Sequence, residues 1–107
     1  MKGRIHWLRA DGGEVIEPAD RVPASHTLRK FVEGDLEYVW VLYDGLRTCM
    51  VVNETGAIRM ADRDPLPVNV AASKIYAAAN GRLGVAPDSF IPHIRGNAVL
   101  LEKIDLG

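Results

Sequence analysis

A single cysteine, Cys49, in a chain of 107 residues has no partner for an internal disulfide and cannot build a thiolate cage for a metal. Burial and hydrogen bonding must therefore hold the fold together. Aromatic residues are few, 7% of the chain, so most of Trp7, Tyr38, Trp40, Tyr43 and Tyr76 are needed for the core. Tyr38 and Tyr43, near strand ends, are the aromatics expected at a surface. No apolar run approaches the ~18 residues of a membrane-crossing helix. The start, Met1 to Trp7, carries Lys2, Arg4 and His6 where a secretory leader needs an uninterrupted apolar stretch. The expectation is a cytoplasmic protein without a membrane partner. Excess charge of one sign is missing too, since the formal net charge is −1. Lys and Arg outnumber Asp and Glu six to four up to Lys30, fall to one against five from Phe31 to Gly56, and stand at six to five thereafter. Without a basic block to displace phosphate counterions, the pattern argues against a nucleic-acid partner.

What is present fits one compact domain over residues 1–107, with 48% apolar and 25% charged residues. Arg4 to Arg9 and Gly13 to Glu17 read as strands joined at Asp11, Gly12 and Gly13. A short helix over about 25–33 places Leu28, Phe31 and Val32 on one face and stops at Gly34. Leu36 to Leu42 and Leu46 to Val52 read as strands joined by the Asp44-Gly45 turn, and they are the expected centre of the sheet. Ala57 to Met60 is a further short strand. Residues 61–67, with two prolines and three charges, form an exposed loop. Asn69 caps a longer helix over about 68–80, in which Val68, Ala71, Ala72, Ile75 and Ala79 trace the apolar stripe. Asn80, Gly81 and Gly84 stop it, Pro87 to Asn97 is irregular, and Ala98 to Ile104 is a terminal strand. The fold class is α+β: a mainly antiparallel sheet of five to six strands with one longer and one short helix. The expected core includes Leu28, Phe31, Leu36, Trp40, Leu42, Cys49, Val51, Ile75 and Val99.

Few residues form a chemical constellation. His6, His26 and His93 lie too far apart in sequence for a local metal motif, and no metal or cofactor is expected. Cys49 sits in a strand apolar on both sides, where a thiol packs rather than reacts. The stretch Asn80 to Gly84 lacks the strand before it and the Gly-Lys-Ser/Thr ending of a phosphate loop. Asp35 and Glu37, at i and i+2, share a strand face; with His26 they are the raw material of a hydrolase, although a solvated strand end that deters edge pairing is the favoured explanation. In the loop, Asp62, Arg63 and Asp64 form a mixed charge cluster, and Arg59 and Arg63 could contact an anion.

Thr27 to Asp35 with Glu37 (TLRKFVEGD.E), Val52 to Gly56 (VNETG), Leu66 to Asn69 (LPVN) and Ile94 to Val99 (IRGNAV) resemble, in order and spacing, a small domain-of-unknown-function family found in phages, plasmids and conjugative elements of bacteria. The resemblance covers about residues 25–102, and the chain departs from it at Glu33, where that family often has glycine. It implies an accessory protein of a mobile element with a compact α+β fold, and it carries no catalytic residues. The functional expectation is thus a non-enzymatic protein that binds a host or phage protein, such as a host defence or regulatory factor. Its binding candidates are Asp35, Glu37, Arg59, Asp62, Arg63 and Asp64. The alternative is a small-ligand or nucleotide-binding domain using the 59–67 loop. A homodimer is expected if Arg4 to Arg9 or Ala98 to Ile104 lies at a sheet edge.

Overall fold

A computed structural model of the chain describes residues 3–59, 61, 63–82 and 93–106. Its elements in order are β1 (Gly3–Leu8), β2 (Glu14–Ala19), α1 (Ser25–Val32), β3 (Leu36–Tyr43), β4 (Leu46–Asn53), α2 (Val70–Arg82) and β5 (Ala98–Glu102). The strands form one five-stranded sheet in the order β2-β1-β5-β4-β3, and each adjacent pair is antiparallel. The α+β expectation therefore holds, with five strands. Asp44 (φ 53°) and Gly45 (φ 79°) both take positive φ, as a two-residue hairpin turn whose twist matches its strands requires.

The sequence placed β3 and β4 at the centre, but the centre is β5. The last strand is short and buried throughout, and it slots between β1 and β4, pairing Ile5 with Leu101 on one side and Val51 with Val99 on the other. β3 becomes an edge, and so does β2. Both strands considered for self-pairing, β1 and β5, are flanked on each side, so neither can accept a second copy. Among the described residues no sixth strand forms: 57–59 follow β4 as turn and irregular chain, and Met60 lies outside the described residues.

Each helix covers one sheet face. Against α2 lie Leu8, Val41, Met50, Val52, Ala98 and Leu100; α1 places Leu28 and Val32 against Ile5, Val51, Val99 and Leu101. The apolar stripe of α2 runs through Ala72 and Ala79, with Ile75 and Tyr76 half-buried beside it. It is thus shifted from the expected one, since Ala71 is exposed and Val68 instead forms a β-bridge with Arg95. The helix continues through Asn80 and Gly81 to Arg82. Gly84 and the expected irregular stretch from Pro87 to Pro92 lie outside the described residues.

α1 has 8 residues, about 12 Å of helix at 1.5 Å per residue, too short to cover the whole of its face. It reaches Leu36 but leaves Tyr38 and Trp40 of β3 exposed. Trp40, expected in the core, is 47% exposed. Leu28, Cys49, Val51 and Val99 are buried as expected, whereas Leu36, Leu42, Phe31 and Ile75 are only half-buried. The residue that ends α1 in the left-handed conformation is Glu33 (φ 66°, ψ 39°) rather than Gly34. Gly34 is needed for a different reason: a Cβ there would lie 2.6 Å from the Asn53 side-chain nitrogen.

Four separate segments, around Val32, Asn53, Pro67 and Gly96, converge. Asn53 Nδ2 donates to the Val32 carbonyl (3.0 Å) and Asn97 Nδ2 to that of Phe31 (3.0 Å). Asn69 accepts the Ala72 amide (3.0 Å) and donates to the carbonyls of Leu8 and Gly96, both at 2.9 Å. Leu66 N–H reaches the Gly56 carbonyl and Gly96 N–H that of Pro67, each at 2.8 Å. These asparagines serve backbone groups that no ladder or helix supplies, which a buried connection requires. Their role is to hold the fold.

Candidate functional site: an acidic, aromatic sheet edge

β3 presents its surface because of where it lies: an edge strand beyond the reach of α1. Along the α1 side, Tyr38 and Trp40 are 49% and 47% exposed and stand opposite buried Val51 and Cys49 of β4. Arg47, across the hairpin, holds its guanidinium 4.2 Å from the centre of the Trp40 ring. This cation–π contact fixes the indole in an extended, accessible position. Trp40, Val41, Leu42 and Arg47 line a shallow recess of about 120 Å³. The strand runs 8 residues without proline, whereas the other edge, β2, is shorter, has 6 residues and contains Pro18. Edge strands are normally blunted by proline or charge; the carboxylates of β3 sit only at its start.

Those carboxylates are two of the residues singled out from the sequence. Asp35 is exposed just before β3, and its carbonyl accepts the Glu54 amide at 2.9 Å. Glu37 is exposed on the α2 side of the sheet, in a cleft of about 260 Å³ it shares with Glu54, Tyr76, His93 and Arg95. The loop residues behave differently. Arg59 pairs with Asp64, both 74% exposed. Arg63 spends its guanidinium inside the loop, donating to the carbonyls of Ile58 (3.4 Å), Asp64 (3.0 Å) and Thr55 (3.2 Å) and to Thr55 Oγ1 (3.3 Å). It is a clamp on the turn more than an open anion contact. Asp62 lies outside the described residues. Among the described residues no hydrogen bond or ion pair joins Asp35 and Glu37 to the loop cluster. His26, on α1, lies on the opposite side of the sheet from Glu37, so the hydrolase set does not assemble.

Sequence reading missed a polar centre under the sheet. Glu102 of β5, 4% exposed, accepts from Arg4 Nε and Nη2 at 3.0 Å each and lies 2.7 Å from His6 Nε2. His6 Nδ1 lies 3.7 Å from Glu14, and the ring meets Tyr43 edge-on at 5.3 Å. The Arg4 hydrogen bonds hold the Glu102 carboxyl below the usual range; burial opposes this and the His6 contact adds to it. Nothing in the sequence links Arg4 with Glu102; only the β1–β5 pairing sets them face to face. Burial pushes the Cys49 thiol up, keeping it protonated. Among the described residues no group of His, Cys, Asp and Glu is arranged to hold a metal, and no helix is long and apolar enough to cross a membrane.

No protein-family model matches the chain, and no curated protein or solved structure is significantly similar to it.

Proposed function

We propose that the protein is a non-enzymatic binding module that recognises a partner protein through β3 and the face beside it, and that the partner offers a basic, extended segment. The observation that carries this reading is the exposed pair Tyr38 and Trp40 on an unblunted edge strand, with Arg47 stacked on the indole. Trp, Tyr and Arg dominate the energetics of protein interfaces because they bury much area for little entropy. An open edge offers backbone groups for strand addition, the mode in which an extended peptide gains affinity from main-chain hydrogen bonds and specificity from alternate side chains.

Charge selects the occupant. From Phe31 to Gly56 the chain carries Glu33, Asp35, Glu37, Asp44 and Glu54 against Arg47. That surface repels a second copy of itself and attracts lysines and arginines flanking an apolar anchor. Asp35 and Glu37 thus serve as the charged end of the site, with Trp40 as its anchor. The resemblance to mobile-element proteins favours a host or phage protein as that partner.

Affinity capture from the natural host, comparing wild type with Trp40→Ala and with Asp35→Asn/Glu37→Gln, tests the reading. A partner should be retained by wild type, lost with Trp40→Ala and weakened by charge removal, and it should bind directly once purified. Equal capture by all three proteins would remove the site from the account.

A further inference from the structure

A separate cleft opens at the far end of β1. Trp7 and Phe31 meet there edge to face, 5.0 Å apart at 75°, and both rings remain half-buried rather than sealed. Arg9 lies with its guanidinium 5.5 Å from the Phe31 ring centre. Together with Lys30, Thr27 and Glu33 of α1 and its C-terminal turn, these side chains line an open cleft of about 350 Å³, within the range of small-ligand sites. The rear wall is fixed: Asn97 accepts the Ala10 amide at 2.9 Å and donates to the Phe31 carbonyl at 3.0 Å, while Trp7 Nε1 donates to Glu17 at 3.0 Å. Among the described residues no ion pair engages Arg9 or Lys30, so both charges are free to meet a ligand, whereas Arg4 and Arg59 are paired with carboxylates and Arg63 and Arg95 with carbonyls. What sets these two cations apart from the other unpaired ones is that they flank the half-buried Trp7 and Phe31 rings in one cleft.

We infer that this cleft binds a small ligand joining a planar ring to a phosphate, of the nucleoside monophosphate class. The rings of Trp7 and Phe31 supply an apolar, polarisable wall for the base. Arg9 can stack on Phe31 and still direct N–H groups at an anion, and Lys30 adds a second charge to match a phosphate dianion. Thr27 and Glu33 supply a hydroxyl and an acceptor for sugar hydroxyls. The site is distinct from the β3 edge and from the 59–67 loop, and it fits a free nucleotide better than a strand, because the sequence holds no block of Lys and Arg of the kind a strand needs.

The test uses Trp40→Phe protein, in which Trp7 is the one remaining indole, titrated with AMP, adenosine, inorganic phosphate and single-stranded oligodeoxyadenylate. AMP should quench Trp7 saturably with a Kd below about 1 mM, more tightly than adenosine or phosphate alone. Arg9→Gln/Lys30→Gln should weaken AMP about tenfold or more while leaving adenosine unchanged, the loss expected of charge-assisted hydrogen bonds. In wild-type protein, amide shifts on AMP addition should cluster at residues 7, 9, 27, 30 and 97, a readout independent of any variant's folding. Absence of quenching and of amide shifts at millimolar AMP overturns the inference, and so does equal affinity for AMP and adenosine. Tighter binding of the oligonucleotide with a steep salt dependence would replace the mononucleotide with a strand and overturn it as well.

Discussion

Asn69 offers the sharpest test of how the fold is held. Its side chain is fully buried (0% exposed) and both of its polar atoms are used: Oδ1 accepts the Ala72 amide, and Nδ2 donates to the carbonyls of Leu8 and Gly96. It therefore caps α2 and ties the helix start to the end of β1 and the approach to β5. Asn69→Ala removes a helix cap, costing about 1 kcal/mol, and withdraws the shared donor from two carbonyls in a buried setting, at about 1 kcal/mol each or more. The expected loss is about 3 kcal/mol, a large share of the ~5–15 kcal/mol typical of a domain. Asn69→Asp separates the two roles. The carboxylate still caps Ala72, but it directs a buried negative charge at two carbonyl oxygens. Near pH 7 it should be at least as unstable as Asn69→Ala, and it should recover on acidification as the neutral carboxyl regains a donor. Urea unfolding followed by circular dichroism, with an unchanged m-value, reads both changes. Near-wild-type stability of Asn69→Asp at pH 7, or a loss below about 1 kcal/mol for Asn69→Ala, would refute the reasoning.

Further outcomes follow from the same geometry. Trp40→Ala should lower stability by no more than about 1 kcal/mol, chiefly the stacked Arg47 contact, because the ring is already half in water; a loss of about 3 kcal/mol or more would place it in the core. Glu102 is held below its ordinary range by Arg4, so its stabilising contribution is present above the usual glutamate range and is lost as pH falls through the lowered folded value. Glu102→Gln should accordingly flatten the acid limb of a stability-against-pH profile, and an unchanged limb would contradict this. Glu33→Gly should stabilise by roughly 0.5–1 kcal/mol, the left-handed strain relieved less the added chain entropy; a lower unfolding midpoint would count against it.

Local chemistry made much of the fold legible. Asp44-Gly45 announced its turn, Asn69 its cap, and the apolar alternation of Leu36 to Val52 its hairpin. Strand order was not legible, because nothing local to Ala98–Glu102 says that the last strand inserts between the first and the fourth. From that error came the misplacement of Trp40. Its alternation with Leu36 is genuine, but burial depends on α1 reaching over it, and helix length against sheet width is a tertiary quantity. The Arg4–His6–Glu102 centre was hidden for the same reason, its members being 96 and 98 residues apart in pairs. Asp35 and Glu37 were found by charge density, and the structure exposes Trp40, which the sequence had assigned to the core, further along the same strand on the face opposite Glu37. Arg63 was found as a cation in a rigid loop, but the folded loop turns its own carbonyls onto that cation.

The central claim is that β3 meets a partner, and site-specific photocrosslinking in the natural host addresses it most directly. With benzoylphenylalanine replacing Tyr38, irradiation should yield a discrete adduct whose crosslinked peptide is rich in Lys or Arg, while the same group replacing Val70, still more exposed at the start of α2, should yield none. No adduct from position 38, or the same adduct from both positions, would contradict the account.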